Sequence, residues 1–510
     1  MNGASQIELE RLHESQYNSL YIPPSEDDKA QGGKIDYHTI FFKSFTNTIW
    51  NSTGKLILKQ QTPTQVSFDL YGKSVEATSI TYDVDSSIAF LIDTMCIYSF
   101  PKISFKKECN GKFRFRWCSN PGPSGIYRTV MRNGDITLDN FSGSWIRTFY
   151  NWAFQPSDMN CINESIGNIP DMCEWNRNYI ESTELRFMMP YFYSYPEDKL
   201  SGAFPVFLLG SQCDLTKTLI YPTNIVNALL RVEGTSDGSI WTPIEREYIN
   251  SLITVGPYNP PILESYYGMI TDAEKEHFYF DDEGNEIKQH VYPIHQVVEL
   301  GDKNPTFPGR TSTIAINSSP AVAIFCDGVN IDAVKNREYS NCSTNSGNAK
   351  EGISAISRVD FYYDKKLKFT LTPSMMKSME TFRHLPGKPQ LPGYLFHAFA
   401  HRPFRTQGMV GAITGGGNSK SSKSTTDNLI CTYTGTSAKK NDDIGEIIDP
   451  SDIIERALSG SNFKSGKQER DDNSSQNGYW TEAFVLTHTS LIFNLKEVTP
   501  DHRTFTIQIV

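Results

Sequence analysis

The sequence predicts an all-β protein of two domains, with short helices set in its loops. Aromatic residues make up 12% of the chain, with 30 Phe and 25 Tyr, a bias toward side chains that pack on pleated sheets. Short apolar runs recur between Gly, Pro and Asn clusters, which is the grammar of sandwiches and barrels. At 510 residues the chain has room for two such domains.

Residues 1–35 read as a polar arm: a short helix over "SQIELERLHESQ", then "YIPPSEDDKAQGGK", which no core would hold. The first domain, residues 36–270, opens with strands at "QVSFDLYG", "EATSITYDV", "IAFLIDTMCIYSFPKI" and "GKFRFRWC". In the last of these Phe113, Phe115 and Trp117 alternate with Lys112, Arg114 and Arg116, so one face is buried and the other wet. A helix follows at "GSWIRTFYNWAFQP", where Trp145, Phe149 and Trp152 fall at i, i+4 and i+7 and form a stripe for packing on a sheet. Strands resume with "ELRFMMPYFY", "AFPVFLLG" and "KTLIYPTN", and an irregular stretch runs to about residue 262.

"SYYGMI" reads as a strand leading into a helix at "TDAEKEHF", where Thr271 and Glu274 have capping-box spacing. This helix and the acidic turn "DDEGNE" form a linker over 271–290. The turn lacks the ligand spacing of an EF-hand. The second domain, 291–510, has strands at "TSTIAIN", "AVAIFCDG", "SRVDFYYD", "LKFTLTP", "GYLFHAFAH" and "GMVGAI". It ends on "RTFTIQIV", where Phe505, Ile507 and Ile509 alternate as in a core strand. Before that lies a flexible Gly/Ser loop, "TGGGNSKSSKSTTDN", in which no Gly precedes Lys420 in a phosphate-loop frame. An exposed insertion spans about 435–480; within it Asp449 caps a helix, Pro450 occupies its first turn and Gly460 ends it.

The net charge of −10 and the pI near 5.6 speak against direct nucleic-acid binding, which needs clustered Lys and Arg. The first residues lack a signal-peptide pattern and no apolar run reaches bilayer length, so the expected product is a soluble intracellular protein. Nine cysteines without a CxxC pair, Cys96 and Cys326 among them inside strand-like runs, read as free thiols in a reducing compartment. The sequons at Asn51, Asn140 and Asn163 are then chance matches in a polar chain.

No residue pattern commits the chain to catalysis, a cofactor or a metal. His397 and His401 have the i, i+4 spacing of a helical metal pair, yet Pro392, Gly393 and Pro403 bracket them and the intervening residues alternate with period two. On a strand four residues span roughly 13 Å, too far for one ion. Asp360 and Asp364 are the nearest to paired carboxylates, and solvent-facing strand acids are the plainer reading. There is no HExxH and no GxSxG.

Four places give the chain a resemblance to the major capsid proteins of nucleocytoplasmic large DNA viruses, the irido-, phycodna- and mimivirus group. "FRFRWCSNPG" resembles that family's strand ending in Arg-Trp before an Asn- and Gly-bearing loop, and "FSGSWIRTFYNW" its Gly-Trp helix. "YYGMITDAEKEHF" with "YPIHQVVEL" resembles the passage from its first barrel to its second. "INSSPAVAIFCDG" and "PGYLFHAFAHRPFRTQG" are similar to its later strands, the last one making His397 and His401 structural. The chain departs from the family in "MVGAITGGGN" after the "RTQG" turn, in the 435–480 insertion, and in the lack of a Trp at "FCDG".

The resemblance implies two consecutive eight-stranded antiparallel jelly rolls and a homotrimer of near-hexagonal outline tiling an icosahedral shell. It further implies neighbouring capsomers and minor capsid and penton proteins as partners, an internal membrane met only indirectly at the inner face, no cofactor, no enzymatic activity, assembly in the host cytoplasm and residence in the virion. A scaffold or minor capsid paralogue of the same fold is an alternative. So is a jelly-roll carbohydrate-binding protein that would use Trp241 or Trp480 as a stacking platform.

Overall fold

Side chains of successive strand residues point to opposite faces, so a run that alternates apolar and polar buries one face and wets the other. The segment Phe113–Trp117 shows this directly: Phe113, Phe115 and Trp117 are buried while the arginines between them are partly exposed. The computed structural model describes residues 52–509 apart from 107–108, 110, 196–201, 236–237, 239, 282–283, 302–310, 317–320, 364–365, 376–383, 386, 388, 390, 401–402, 405–428, 436–477 and 500–501. The expected arm, the Gly/Ser loop, the "GMVGAI" strand and the Asp449 helix lie outside the described residues.

Eight strands trace the jelly-roll path of the first barrel: β1 Ser52–Ile57, β2 Lys73–Asp83, β3 Phe90–Phe100, β4 Arg128–Asn133, β5 Ile136–Ser142, β6 Thr183–Met188, β7 Leu215–Pro222 and β8 Ile262–Met269. One sheet runs β1-β8-β3-β6 and the facing sheet β2-β7-β4-β5, all neighbours antiparallel, and two further strands, Lys59–Gln60 and Thr64–Leu70, pair with β2. The second barrel uses β9 Gln289–Gly301, β10 Thr311–Ile316, β11 Ala321–Asn330, β12 Ile356–Tyr363, β13 Lys366–Leu371, β14 Leu395–Ala398, β15 Leu429–Gly435 and β16 Tyr479–Thr499. Its sheets run β9-β16-β11-β14 and β10-β15-β12-β13. The order is that of the first barrel shifted by eight, so the chain draws the same jelly-roll path twice. A last strand, β17 His502–Ile509, pairs with the distal half of β16.

Helix α1, Gly143–Trp152, and helix α2, Asp272–Tyr279, both begin at side-chain caps. Helix α1 leaves β5 and is capped by the Ser142 hydroxyl, which accepts from Trp145 N. Helix α2 lies between the barrels in sequence, and the Thr271 side chain accepts from Glu274 N as capping-box spacing requires. No helix of the described residues is long and apolar enough to cross a membrane.

Two expected features differ. "AFPVFLLG" is not a strand: Val206–Gln212 turns as a 3-10 segment after Pro205, with Gly210 at φ 47° breaking it. Its side chains are buried nearly throughout, so hydrophobicity alone imitates a core strand. The stretch before residue 262 is not irregular. Leu230–Gly234 pairs with Phe113–Trp117, and helices Ile225–Leu229 and Arg246–Leu252 flank it.

One apolar core fills the first barrel and continues across α1 to Phe325, Phe396 and Phe484 of the second. A smaller cluster, with Ile324, Cys326, Val359, Phe361 and Val485, fills the space between the sheets of the second barrel. Strand β11 therefore has one face on each core. This explains why all ten of its residues are buried and why "AVAIFCDG" reads as a continuous apolar run.

Candidate functional site: the junction between the barrels

The contact between barrels is built on α1. Its stripe lands on the second barrel: Trp145 meets Phe325 and Phe484 at ring separations of 5.3 and 5.6 Å, Trp152 meets Phe396 at 5.4 Å, and Phe149 meets Phe404 at 5.4 Å. Tilted and edge-on rings at these distances add to the stabilisation from burial. The helix starts where only glycine fits, because a Cβ on Gly143 would lie 1.9 Å from the Ile126 carbonyl oxygen. Glu299 from β9 closes the same end across the junction, accepting from Ser142 N at 2.5 Å and from Arg128 at 3.3 Å. A carboxylate at a helix N-terminus is favourably placed against the helix dipole.

A second set of contacts comes from the segment after helix α3, Ile331–Lys335. Four successive residues there reach the first barrel. Arg337 donates to the Asn227 carbonyl at 3.1 Å, Glu338 accepts from Arg116, from Arg231 at 2.9 Å and from Ser119 N at 3.3 Å, Tyr339 donates to the Ala228 carbonyl at 3.0 Å, and Ser340 accepts from Asn120 at 3.2 Å. Arg337 takes φ 65°, an uncommon backbone state for a non-glycine residue, and its buried side chain is held by that carbonyl. Burial opposes the Glu338 charge, but Arg116 and Arg231 outweigh it and bring the carboxyl down to about 2.

Beyond Glu338 the charges continue into an arginine–tryptophan stack. Arg114 pairs with Glu233 at 2.6 Å and lies over Trp175 and Trp241 at 4.4 and 4.3 Å, while Arg177 also covers Trp241 at 5.1 Å. Trp241 thus already has two guanidinium groups over its ring. Trp480 lies 6.2 Å from the Tyr71 ring at the junction. Neither presents a bare platform for a sugar.

His397 sits on β14 with its ring 5.3 Å from Phe361 and 5.0 Å from Phe399, and His401 lies outside the described residues. Asp360 is buried and accepts from Arg358 at 2.8 Å and from Thr370; Asp364 is outside the described residues. Cys96 and Cys326 are both buried, and neither is in a disulfide. Among the described residues no group of three or more His, Cys, Asp or Glu is arranged to hold a metal ion. Sequence reading found the α1 stripe but missed Glu338 and its neighbours, since "NREYSN" has neither periodicity nor a motif.

No protein-family model matches the sequence, and no curated protein matches it. Solved structures do. PBCV-1 VP54, fitted into a reconstruction of the virophage Sputnik, aligns with TM-score 0.55 and 13% identity over 91% of this chain and 99% of its own. The quasi-atomic PBCV-1 virus capsid aligns with TM-score 0.55 and 12% identity over 91% and 99%. The Faustovirus major capsid protein aligns with TM-score 0.53 and 10% identity over 95% and 98%. Near-complete coverage of both chains at such low identity is a likeness of architecture, and it places the chain in the double jelly-roll fold that these viral capsid proteins have.

Proposed function

We propose that this chain is the wall-forming capsid protein of a large double-stranded DNA virus, assembling as a homotrimer that tiles an icosahedral shell. The observation that carries the proposal is the repetition of one strand order in two barrels joined by a buried junction. Three chains then present six similar bodies around a closed threefold axis, a near-hexagonal tile made without six copies. The role asks for rigidity rather than chemistry, and a continuous core with a hydrogen-bonded strap across the junction supplies it.

On this reading residues 36–270 and 291–510 are the two folding units and 271–290 their linker. The trimer contact should bury well over 2,000 Å² in total, as obligate interfaces do, with smaller and more polar contacts to neighbouring capsomers and to minor capsid and penton proteins. The net charge of −10 fits a wall that does not bind the genome directly. The protein would be made and assembled in the host cytoplasm, reside in the virion, and meet an internal membrane only indirectly. Negative-stain imaging of the purified chain tests the proposal: hexagon-like particles are expected, and single two-lobed particles at every concentration tried would reject it.

A further inference from the structure

We propose that Asp327 and Glu482 form a proton-holding carboxyl pair that keeps α1 seated on the second barrel and loosens it when the proton leaves. The two residues are direct cross-strand partners on β11 and β16, so their side chains leave the same face of the sheet side by side. Asp327 Oδ1 and Glu482 Oε2 are buried with no hydrogen-bond partner among the described residues. Two such carboxyl groups can satisfy each other only if one of them carries a proton. Their remaining oxygens accept from α1, Asp327 from Thr148 at 2.9 Å and Glu482 from Ser144 at 3.5 Å. The pair is therefore the polar half of the seat on which the α1 stripe rests.

Charge balance gives the same answer. Glu299 on β9 is matched by Arg128 and by the backbone N–H at the start of α1. Arg147 on α1 is then the one cation facing Asp327 and Glu482 among the described residues, and it spends its hydrogen bonds on Tyr71 at 3.1 Å and Ser144 at 2.8 Å. Two ionised acids would leave one buried negative charge unmatched, which a retained proton removes. The other titratable groups facing the pair are Tyr71, Cys342 and Tyr394, whose own ionisation burial drives upward, so they stay neutral. Burial likewise lifts Asp327 to about 7 and Glu482 well above the carboxylate range, Asp327 adding to the latter. A cavity of about 140 Å³ lined by Glu482, Glu299, Arg147, Tyr71 and Ser144 gives water a way to the Glu482 side of the pair.

The native pair holds protons that the unfolded chain has released, so its stabilisation is complete at acid pH and declines as pH rises from about 4 through 7 and beyond. Lys217, lowered to about 7 by burial, acts in the opposite direction above pH 7, and buried Asp139, raised to about 8, acts in the same direction. Comparison with isosteric variants isolates the pair from both. Melting temperatures of the full chain, Glu482→Gln and Asp327→Asn are to be measured from pH 5 to 9, together with hydrogen exchange of the α1 amides corrected for intrinsic rate. The wild type should lose at least about 4 °C more than either variant over this range, and its α1 protection should fall by roughly tenfold or more, a change the variants lack. Parallel melting profiles would overturn the proposal. So would a rise in melting temperature with calcium that the variants lack, since the two carboxylates would then be holding a cation. Should the variants fail to fold, infrared spectra of Asp139→Asn, which removes the other raised carboxyl, decide: a protonated-carboxyl band at pH 6 that fades toward pH 9 supports the pair, and its absence at pH 6 rejects it.

Discussion

Replacing Glu338 should uncouple the barrels more than any other single polar change, and its magnitude follows from the structure. The carboxylate is 4% exposed and serves Arg116, Arg231 and Ser119 N at once. Holding it at about 2 instead of its usual 4.5 corresponds to roughly 3 kcal/mol, at about 1.36 kcal/mol per pH unit. Removing one member of a buried ion pair costs about 3–5 kcal/mol for the separate reason that it strands its partners, and the two figures agree. Arg231 keeps a second carboxylate, Glu233, at 3.5 Å, which argues for the lower end. Glu338→Gln should therefore lower the melting temperature by roughly 6 °C or more at pH 7. The sign with pH is fixed as well. Because folding depresses this carboxyl, its contribution is present above about 4.5 and is lost as pH falls toward 2. The gap between wild type and variant, read by calorimetry, should narrow over that interval. A gap that stays constant from pH 7 to 3, or one below about 2 °C throughout, would refute the assignment of Glu338 as the charged centre of the strap.

Trp145→Ala removes the ring that meets Phe325 and Phe484 and should cost about 3–5 kcal/mol in denaturant unfolding. Gly143→Ala places a Cβ against backbone at 1.9 Å, so a loss of soluble protein on expression is expected, whereas alanine at exposed Gly238 is not expected to reduce soluble yield as severely. Deleting 502–510 strips β17 from β16 and uncovers the sites of Phe505 and Ile507, and should abolish assembly by size-exclusion chromatography. His295 faces His488 across β9 and β16 with rings 5.4 Å apart and Tyr195 at 6.4 Å. Burial first, and His488 second, lower it well below the usual range. Its contribution is present above about 6.5 and lost at lower pH, so His295→Gln should flatten the decline of melting temperature between pH 6.5 and 4.5.

The strands legible in the sequence are those with one wet face, such as Phe113–Trp117, and the capped helices, where Ser142 and Thr271 stand at the spacing that capping geometry requires. Legibility fails for distinct physical reasons. The 21-residue strand β16 passes unread because it changes partners along its length, serving β9 and β11 and then β17, so no single alternation describes it. The β4–β5 hairpin is not identified either, although Asn133-Gly134 carries a strong local turn signal. The junction is hardest to read. Its aromatic half shows as the α1 stripe, but the residues that Glu338, Asp327 and Glu482 touch are far away in sequence, and no local pattern encodes a contact made by folding.

The most direct test of the account is the solution mass of the purified chain by light scattering. Assembly into capsomers predicts a mass near three times 57.6 kDa, about 172.8 kDa, that persists on dilution. A single species at 57.6 kDa across the accessible concentrations would contradict it.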